Sequence, residues 1–216
     1  MNVFRFTLAG TELALLPSGA LWWAAERLLT VSDLHLGRAG RYARNAGALL
    51  PPYEIRDTLA RLEADIAATG AVSVVCLGDS FDDDEAAREL APEARAWLVR
   101  LMAGRDWVWI EGNHDPGAAG PGGRHLAEYA RGPLTFRHIA RAGEYGEISG
   151  HYHPRVRLRG HSRPCLLVDA ARAILPAYGT YTGGLRTDSE VLSALMGPDA
   201  LAVMTGPVPR ALPMPR

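Results

Sequence analysis

The chain has 216 residues, of which 48% are apolar and 22% charged, an ordinary balance for a folded protein with a core to bury. Its formal net charge is −1, so bulk electrostatics draws it toward neither nucleic acid nor a membrane surface. All 23 lysine-plus-arginine positions are arginine, which excludes Schiff-base lysine chemistry, lysine adenylation and a phosphate loop ending in Gly-Lys-Ser/Thr. Two cysteines, Cys76 and Cys165, cannot make a disulfide framework, and Cys76 lies in an apolar run where it reads as a small buried hydrophobe. The first residues lack the basic and apolar regions of a signal peptide, and no stretch nears the roughly 18 apolar residues of a membrane helix. The expectation is a cytoplasmic protein with no membrane partner.

In chain order, residues 3–8, 12–16 and 20–23 read as short strands separated by Ala-Gly and Pro-Ser-Gly turns. Residues 28–31 are almost wholly apolar, as expected of a strand covered on both faces. From Pro51-Pro52 the period changes: Ile55, Leu59, Leu62 and Ile66 recur at spacings of three and four, and Gly70 closes a helix. A buried strand follows at 72–77. A second helix carries Leu90, Ala94, Trp97, Leu98 and Leu101 on one face and ends at Gly104, and a third apolar strand occupies 107–110. This β-α-β-α-β series implies parallel strands with helical crossovers. Residues 116–123 are a loop by composition. The rest is β-rich, with candidate strands at 134–139, 144–149, 154–159, 165–168, 173–175 and 201–204. The tail from Gly206 holds four prolines and is excluded from a central strand or a helix interior. With no repeat and no linker, residues 1–216 read as one domain of two sheets with helices outside.

Each of the three buried strands runs into a polar motif: Ser32-Asp33-Leu34-His35, Gly78-Asp79-Ser80-Phe81-Asp82 and Gly112-Asn113-His114-Asp115. Ligand sites of open α/β sheets form where such loops converge, beyond the carboxyl ends of the strands. A fourth cluster is Gly150-His151-Tyr152-His153, with a lone His138 before it. By chance, a chain of this composition would contain Gly-Asn-His-Asp on the order of 0.001 times and Gly-His-x-His about 0.02 times. Imidazole, carboxylate and amide oxygen together form a ligand set for Mn, Fe, Zn, Ni or Co rather than for copper thiolate or calcium. Two such ions about 3.5–4 Å apart share a water, lower its pKa and clamp a phosphate during in-line attack.

The order of these motifs resembles the calcineurin-like metallophosphoesterase superfamily. That resemblance implies a four-layer α-β-β-α sandwich with two mixed sheets. It implies that Asp33, His35 and His153 hold one divalent metal, that Asn113, His138 and His151 hold the other, and that Asp79 bridges them. His114 is then no ligand but faces the scissile phosphate and assists the leaving group, while a hydroxide shared by the metals attacks. Asp115 either orients His114 or serves a plain turn. Together, Ser-Asp-Leu-His-Leu-Gly at 32–37, Leu-Gly-Asp-Ser-Phe at 77–81, Gly-His-Tyr-His-Pro at 150–154, Arg-Pro-Cys at 163–165 and Leu-Pro-Ala-Tyr-Gly-Thr-Tyr-Thr-Gly-Gly-Leu at 175–185 are similar to one bacterial subfamily, the ligase-associated DNA damage response endonucleases of PdeM type. This implies a Mn²⁺-dependent phosphodiesterase with DNA as substrate, linked to a repair ligase system. Arg38 stands where that family more often has lysine.

Some assignments stay open on the residues alone. His125 and His161 rival His138 as the lone ligand, although each also reads as a surface or packing histidine. Asp82, Asp83 and Asp84 form either an outer shell of the metal site or a solvated loop with a helix cap before Glu85; the structural reading is favoured for Asp83 and Asp84, and Asp82 is left open. Arg38, Arg41 and Arg44, and the alternating Arg155, Arg157 and Arg159, could track a phosphate backbone or belong to a salt-bridged face. Arg38 and Arg155 are the substrate-binding candidates. The five tryptophans read as packing residues rather than base-stacking platforms.

Overall fold

A computed structural model describes residues 2–46, 51, 53–117, 120–158 and 160–216, without the side chains of 43–46. The first sheet is built in sequence order. Strands β1 (Phe4–Leu8), β2 (Thr11–Leu15), β3 (Leu21–Trp23) and β4 (Leu28–Val31) pair antiparallel, each with the next. β5 (Ser73–Leu77), β6 (Asp106–Ile110) and β7 (Arg124–Leu126) extend the sheet from β4 in parallel. The crossovers are helical: α1 (Arg38–Ala46) and α2 (Glu54–Thr69) join β4 to β5, and α3 (Asp84–Arg88) and α4 (Pro92–Met102) join β5 to β6.

The second sheet is also mixed. It contains β8 (Glu128–Arg131), β9 (Leu134–Arg137), β10 (Glu147–Ser149), β11 (Arg155–Leu158), β12 (His161–Val168), β13 (Arg172–Ile174), β14 (Leu201–Met204) and β15 (Arg210–Pro213). Their order is β15-β14-β12-β13-β10-β9-β8, with β11 beside β12. The proline-rich tail joins as β15 on the sheet's edge, where a missing N–H need not break a ladder.

The two sheets face each other across one core, where Leu15, Leu21, Val75, Leu77, Val108 and Ile110 meet Phe136, Ile148, Leu166, Leu175 and Val203. The outer face of the first sheet is covered by Leu59, Leu62 and Ile66 of α2 and Leu98 and Leu101 of α4, packed on Val74, Cys76, Trp107 and Trp109. Each such aliphatic side chain contributes about 1.5–3 kcal/mol when fully buried. The fourth layer is thin: α5 (Glu190–Leu195) brings Leu192 onto Cys165, Leu167 and Ile174. This is the expected α-β-β-α arrangement. Both cysteines are buried and free. Among the described residues no helix is long and apolar enough to cross a membrane.

Gly70 closes α2 as expected, at φ 64°, with its N–H on the Ile66 carbonyl. Five elements lie outside the sequence expectation. α1 carries too few apolar residues for a periodicity, α5 has only six residues, and β7, β8 and β15 are short strands of three or four. The expected strand at 144–149 shortens to Glu147–Ser149, and that at 165–168 begins earlier, at His161.

Candidate metal centre

The polar motifs extend the pairing of β4 with β5 beyond the strands. His35 N–H donates to the Asp79 carbonyl at 2.9 Å, Leu36 N–H to Ser80 at 3.0 Å, and Asp82 N–H back to Leu36 at 3.0 Å. Asp115 ties the loop after β6 to the loop after β5. One carboxylate oxygen accepts from the N–H groups of Asp79 (2.9 Å) and Gly112 (3.1 Å), the other from Ser80 (2.7 Å) and Phe81 (3.1 Å). Asp33, His35, Asp79, His151 and His153 all adopt positive φ, between 46° and 69°. Left-handed backbone at a residue with a side chain costs about 1–3 kcal/mol and persists only where the surroundings impose it. The imposed turns bring the five side chains into two neighbouring clusters.

There the side chains fall into two groups, Asp33–His35–His153 and Asp79–His138–His151, within each of which the donor atoms all lie within 4.8 Å of one another. In the first, His153 Nε2 is 3.1 Å from Asp33 Oδ1 and 3.4 Å from His35 Nε2. In the second, His138 Nε2 is 2.9 Å from Asn113 Oδ1, 3.2 Å from His151 Nδ1 and 3.5 Å from Asp79 Oδ1. Neighbouring ligands about 2.1 Å from a common ion stand about 3 Å apart, so these spacings fit a divalent cation in each group. The tautomers fit too. His138 Nδ1 faces the Leu77 carbonyl at 2.8 Å, which can only accept, so its Nε2 presents a lone pair to the cluster. His35 Nδ1 lies 2.9 Å from Asp82 Oδ1, leaving His35 Nε2 to the first group.

Electrostatics keeps the carboxylates ionised. Burial works against the charge of Asp33, but His153, His138 and a hydrogen bond from Ser32 Oγ more than offset it, and the group sits below the usual carboxylate range. Asp79 is likewise drawn down against its burial, chiefly by His138 and by the His114 N–H. Burial would lower His138, yet Asp79 and Asp33 raise it; His151 is lowered by burial and by the charge of His138. Asp115 is lifted by burial, and further by Asp79, to about 6.

The cleft between these groups holds about 350 Å³ and is rimmed by Arg38, Arg41, Tyr42 and His114. His114 Nδ1 lies 3.0 Å from the Asp82 carbonyl and 3.1 Å from Arg41 Nη1, and Nε2 lies 4.0 Å from Asp79 Oδ2. Arg38 and Arg41 rest on the Asp82 carboxylate at 3.4 and 3.2 Å.

A sequence model described as Calcineurin-like phosphoesterase matches residues 26–186. The chain belongs to the calcineurin-like phosphoesterase family. The phosphoesterase is also similar to a solved structure, the Pseudomonas putida nuclease MPE, at 28% identity and a TM-score of 0.79 over 97% of this chain and 100% of that one. No curated protein matches it. With its two carboxylate–histidine groups, it is a metal-dependent hydrolase.

The residues expected to ligate are brought together, His138 included, with Asp33 and His138 buried behind the cleft. The rivals of His138 lie elsewhere: His125 stacks near Trp109, and His161 is exposed at the start of β12. Two site expectations meet different geometry. Asp115 spends its carboxylate on four backbone N–H groups while the His114 ring takes other partners, so Asp115 holds the loops rather than orienting the imidazole. Arg155 turns back onto its own hairpin, donating to Ser162 Oγ at 3.0 Å and to the Ser162 carbonyl at 3.2 Å, rather than lining the cleft. Arg159 and the Arg44 side chain fall outside the described residues. Asp83 caps α3, accepting from Ala86 N–H at 2.6 Å, whereas Asp82 is wholly buried and backs His35. Tyr42, on the rim, carries no signal in the sequence beyond its spacing of four from Arg38.

The 175–185 segment braces the phosphoesterase site from behind. Tyr178 and Gly179 donate their N–H groups to the Ser32 and Asp33 carbonyls at 2.7 and 3.0 Å, and Leu185 donates to Tyr152 at 3.1 Å. A Cβ on Gly179 would lie 2.1 Å from the Leu34 carbonyl oxygen, so only glycine fits.

Proposed function

We propose that the protein is a binuclear phosphodiesterase that cleaves DNA in repair. The carrying observation is the pair of donor groups side by side in one cleft with His114 at its rim. The likeness to a bacterial nuclease and the PdeM-type motifs support DNA as substrate and a link to a repair ligase system. On this reading residues 1–216 act as one domain in the cytoplasm.

Asp33, His35 and His153 would hold one cation and Asn113, His138 and His151 the other, with Asp79 shared; Mn²⁺ is the proposed ion, from a donor set that also admits Fe, Zn, Ni or Co. When bound, such a pair draws charge from phosphate oxygens and acidifies a water for in-line attack. The chain supplies the rest. Leu77 and Asp82 fix the histidine tautomers, and Asp115 holds two ligand loops in register. With Nδ1 facing the Asp82 carbonyl, a protonated His114 would deliver a proton from Nε2 to the departing oxygen. Arg38 and Arg41, already neutralised in part by Asp82, line the substrate's way in.

The test is an activity matrix. Metal-stripped protein is resupplied with each first-row ion and offered bis-p-nitrophenyl phosphate, p-nitrophenyl phosphate and supercoiled plasmid. Mn²⁺-dependent hydrolysis of the diester well above the monoester, with nicking, is the expected result. Preference for the monoester with intact plasmid overturns it. A second reading, a small nucleotide diester or pyrophosphate as substrate, draws on the net charge of −1. Turnover that barely responds to salt would favour it, because phosphate contacts to a polyanion release counterions.

A further inference from the structure

We propose that a second groove, between the β11–β12 hairpin and the β14–β15 connection, is a nucleic-acid exosite that grips the phosphate backbone beyond the scissile linkage. This rests on the nucleic-acid reading of the cleft.

Topology puts the groove on the same end of the sandwich as the metal loops. β10 ends at Ser149 and leads directly into Gly150–His153, so its carboxyl end marks the site. β12 runs antiparallel to β13, which is parallel to β10, and its ladder with β13 covers only Leu167 and Val168. The first half of β12, paired with β11, therefore extends past the sheet toward the site's end, as does the segment after Met204, whose partner is Cys165. Four residues of strand carry the hairpin about 13 Å in that direction at ~3.3 Å each.

The groove holds about 340 Å³ and is lined by Arg163, Arg210 and His161 together with Leu158 and Val208, which are 44% and 55% exposed, and by no carboxylate. Residues 150–168 and 200–216 contain six of the 23 arginines and none of the 24 acidic residues. Elsewhere many arginines are paired with a carboxylate, as Arg100 is with Glu63, Arg124 with Asp106 and Arg131 with Glu26, and others such as Arg27 and Arg105 donate to backbone carbonyls. Among the described residues Arg157, Arg163 and Arg210 have no ion-pair partner. A net charge near zero thus coexists with two stretches at the groove whose charged residues are all arginine. Unpaired guanidinium groups bind phosphate oxygens, and the exposed Leu158 and Val208 offer apolar surface to bases or sugars.

Fluorescence anisotropy of the full chain with a labelled 30-nucleotide DNA, single-stranded and duplex, over a salt series tests the exosite. Arg163→Gln/Arg210→Gln is expected to weaken binding about tenfold near 0.1 M salt and to reduce the salt slope by about two, one for each phosphate that no longer meets a guanidinium. Leu158→Glu, at an exposed position, provides an independent variant with loss in the same direction. Tight wild-type binding that neither variant alters overturns the exosite and leaves the proposed function standing. Hydrolysis of bis-p-nitrophenyl phosphate by wild-type protein that neither binds nor cuts DNA overturns the nucleic-acid reading itself. Stronger binding to anionic phosphatidylserine vesicles than to DNA, abolished by both variants, overturns the choice of partner.

Discussion

His35 Nδ1 and Asp82 Oδ1 are 2.9 Å apart, with both side chains buried. The carboxylate also takes Arg38 and Arg41, so a single buried anion stands behind a proposed ligand and tethers the cationic rim of the cleft. Asp82→Ala is expected to weaken metal binding at the Asp33–His35–His153 group by about 10–100-fold, the usual cost of losing a carboxylate behind a ligating histidine. Competition against a chromophoric chelator measures it; unchanged affinity would mean that His35 needs no such support.

His114→Ala removes the proposed proton donor without removing a member of either candidate metal group. Plasma mass spectrometry should find two equivalents of metal in the variant, as in the parent, while kcat on the diester falls by about 10²–10⁴. Loss of one metal equivalent would make His114 a ligand.

Asp115→Ala leaves four backbone N–H groups without their acceptor. Each buried group left unsatisfied costs about 1–3 kcal/mol, so a loss of at least about 3 kcal/mol is expected by urea denaturation of the metal-free protein. A change below about 1 kcal/mol would show that water replaces the carboxylate.

Asp65 lies under the brace, accepting from Tyr178 Oη at 2.8 Å, and burial raises its pKa despite that bond. A carboxyl whose folded-state pKa is raised favours folding fully below its unfolded value, near 4, and loses that contribution as pH climbs through the folded value. Asp65→Asn does not titrate. Its stability relative to the parent should therefore improve between about pH 4.5 and pH 7.5 in urea midpoints. A constant difference would place the two pKa values together.

Gly179→Ala drives a methyl group into the Leu34 carbonyl. The loop bearing Asp33 must shift, so Mn²⁺ affinity should fall even where circular dichroism stays native. Full affinity would relieve the brace of any role in the site.

What the sequence discloses follows from how many neighbours a feature needs. β4, β5 and β6 are buried on both faces and show as unbroken apolar runs, and α2 and α4 pack one stripe each, so periodicity exposes them. The candidate metal groups are legible because each motif directly follows a buried strand or a hairpin-sized interval. α1 is not, because Arg38, Arg41 and Tyr42 face the cleft rather than a core. Asp82 and Asp83 look alike in a run of three, and only three-dimensional placement gives one to His35 and the other to a helix cap. Arg155 alternates as a strand residue should, yet whether its guanidinium reaches outward or folds onto Ser162 depends on the partner strand.

The twisted backbone beneath Asp33, His35, Asp79, His151 and His153 sets heat resistance against turnover. Glycine at any of the five would ease the chain and erase a proposed ligand. A library of this protein sorted only for surviving high temperature should thus drift toward sturdy, inert descendants, and glycines arriving at those five codons would be the mark of that drift.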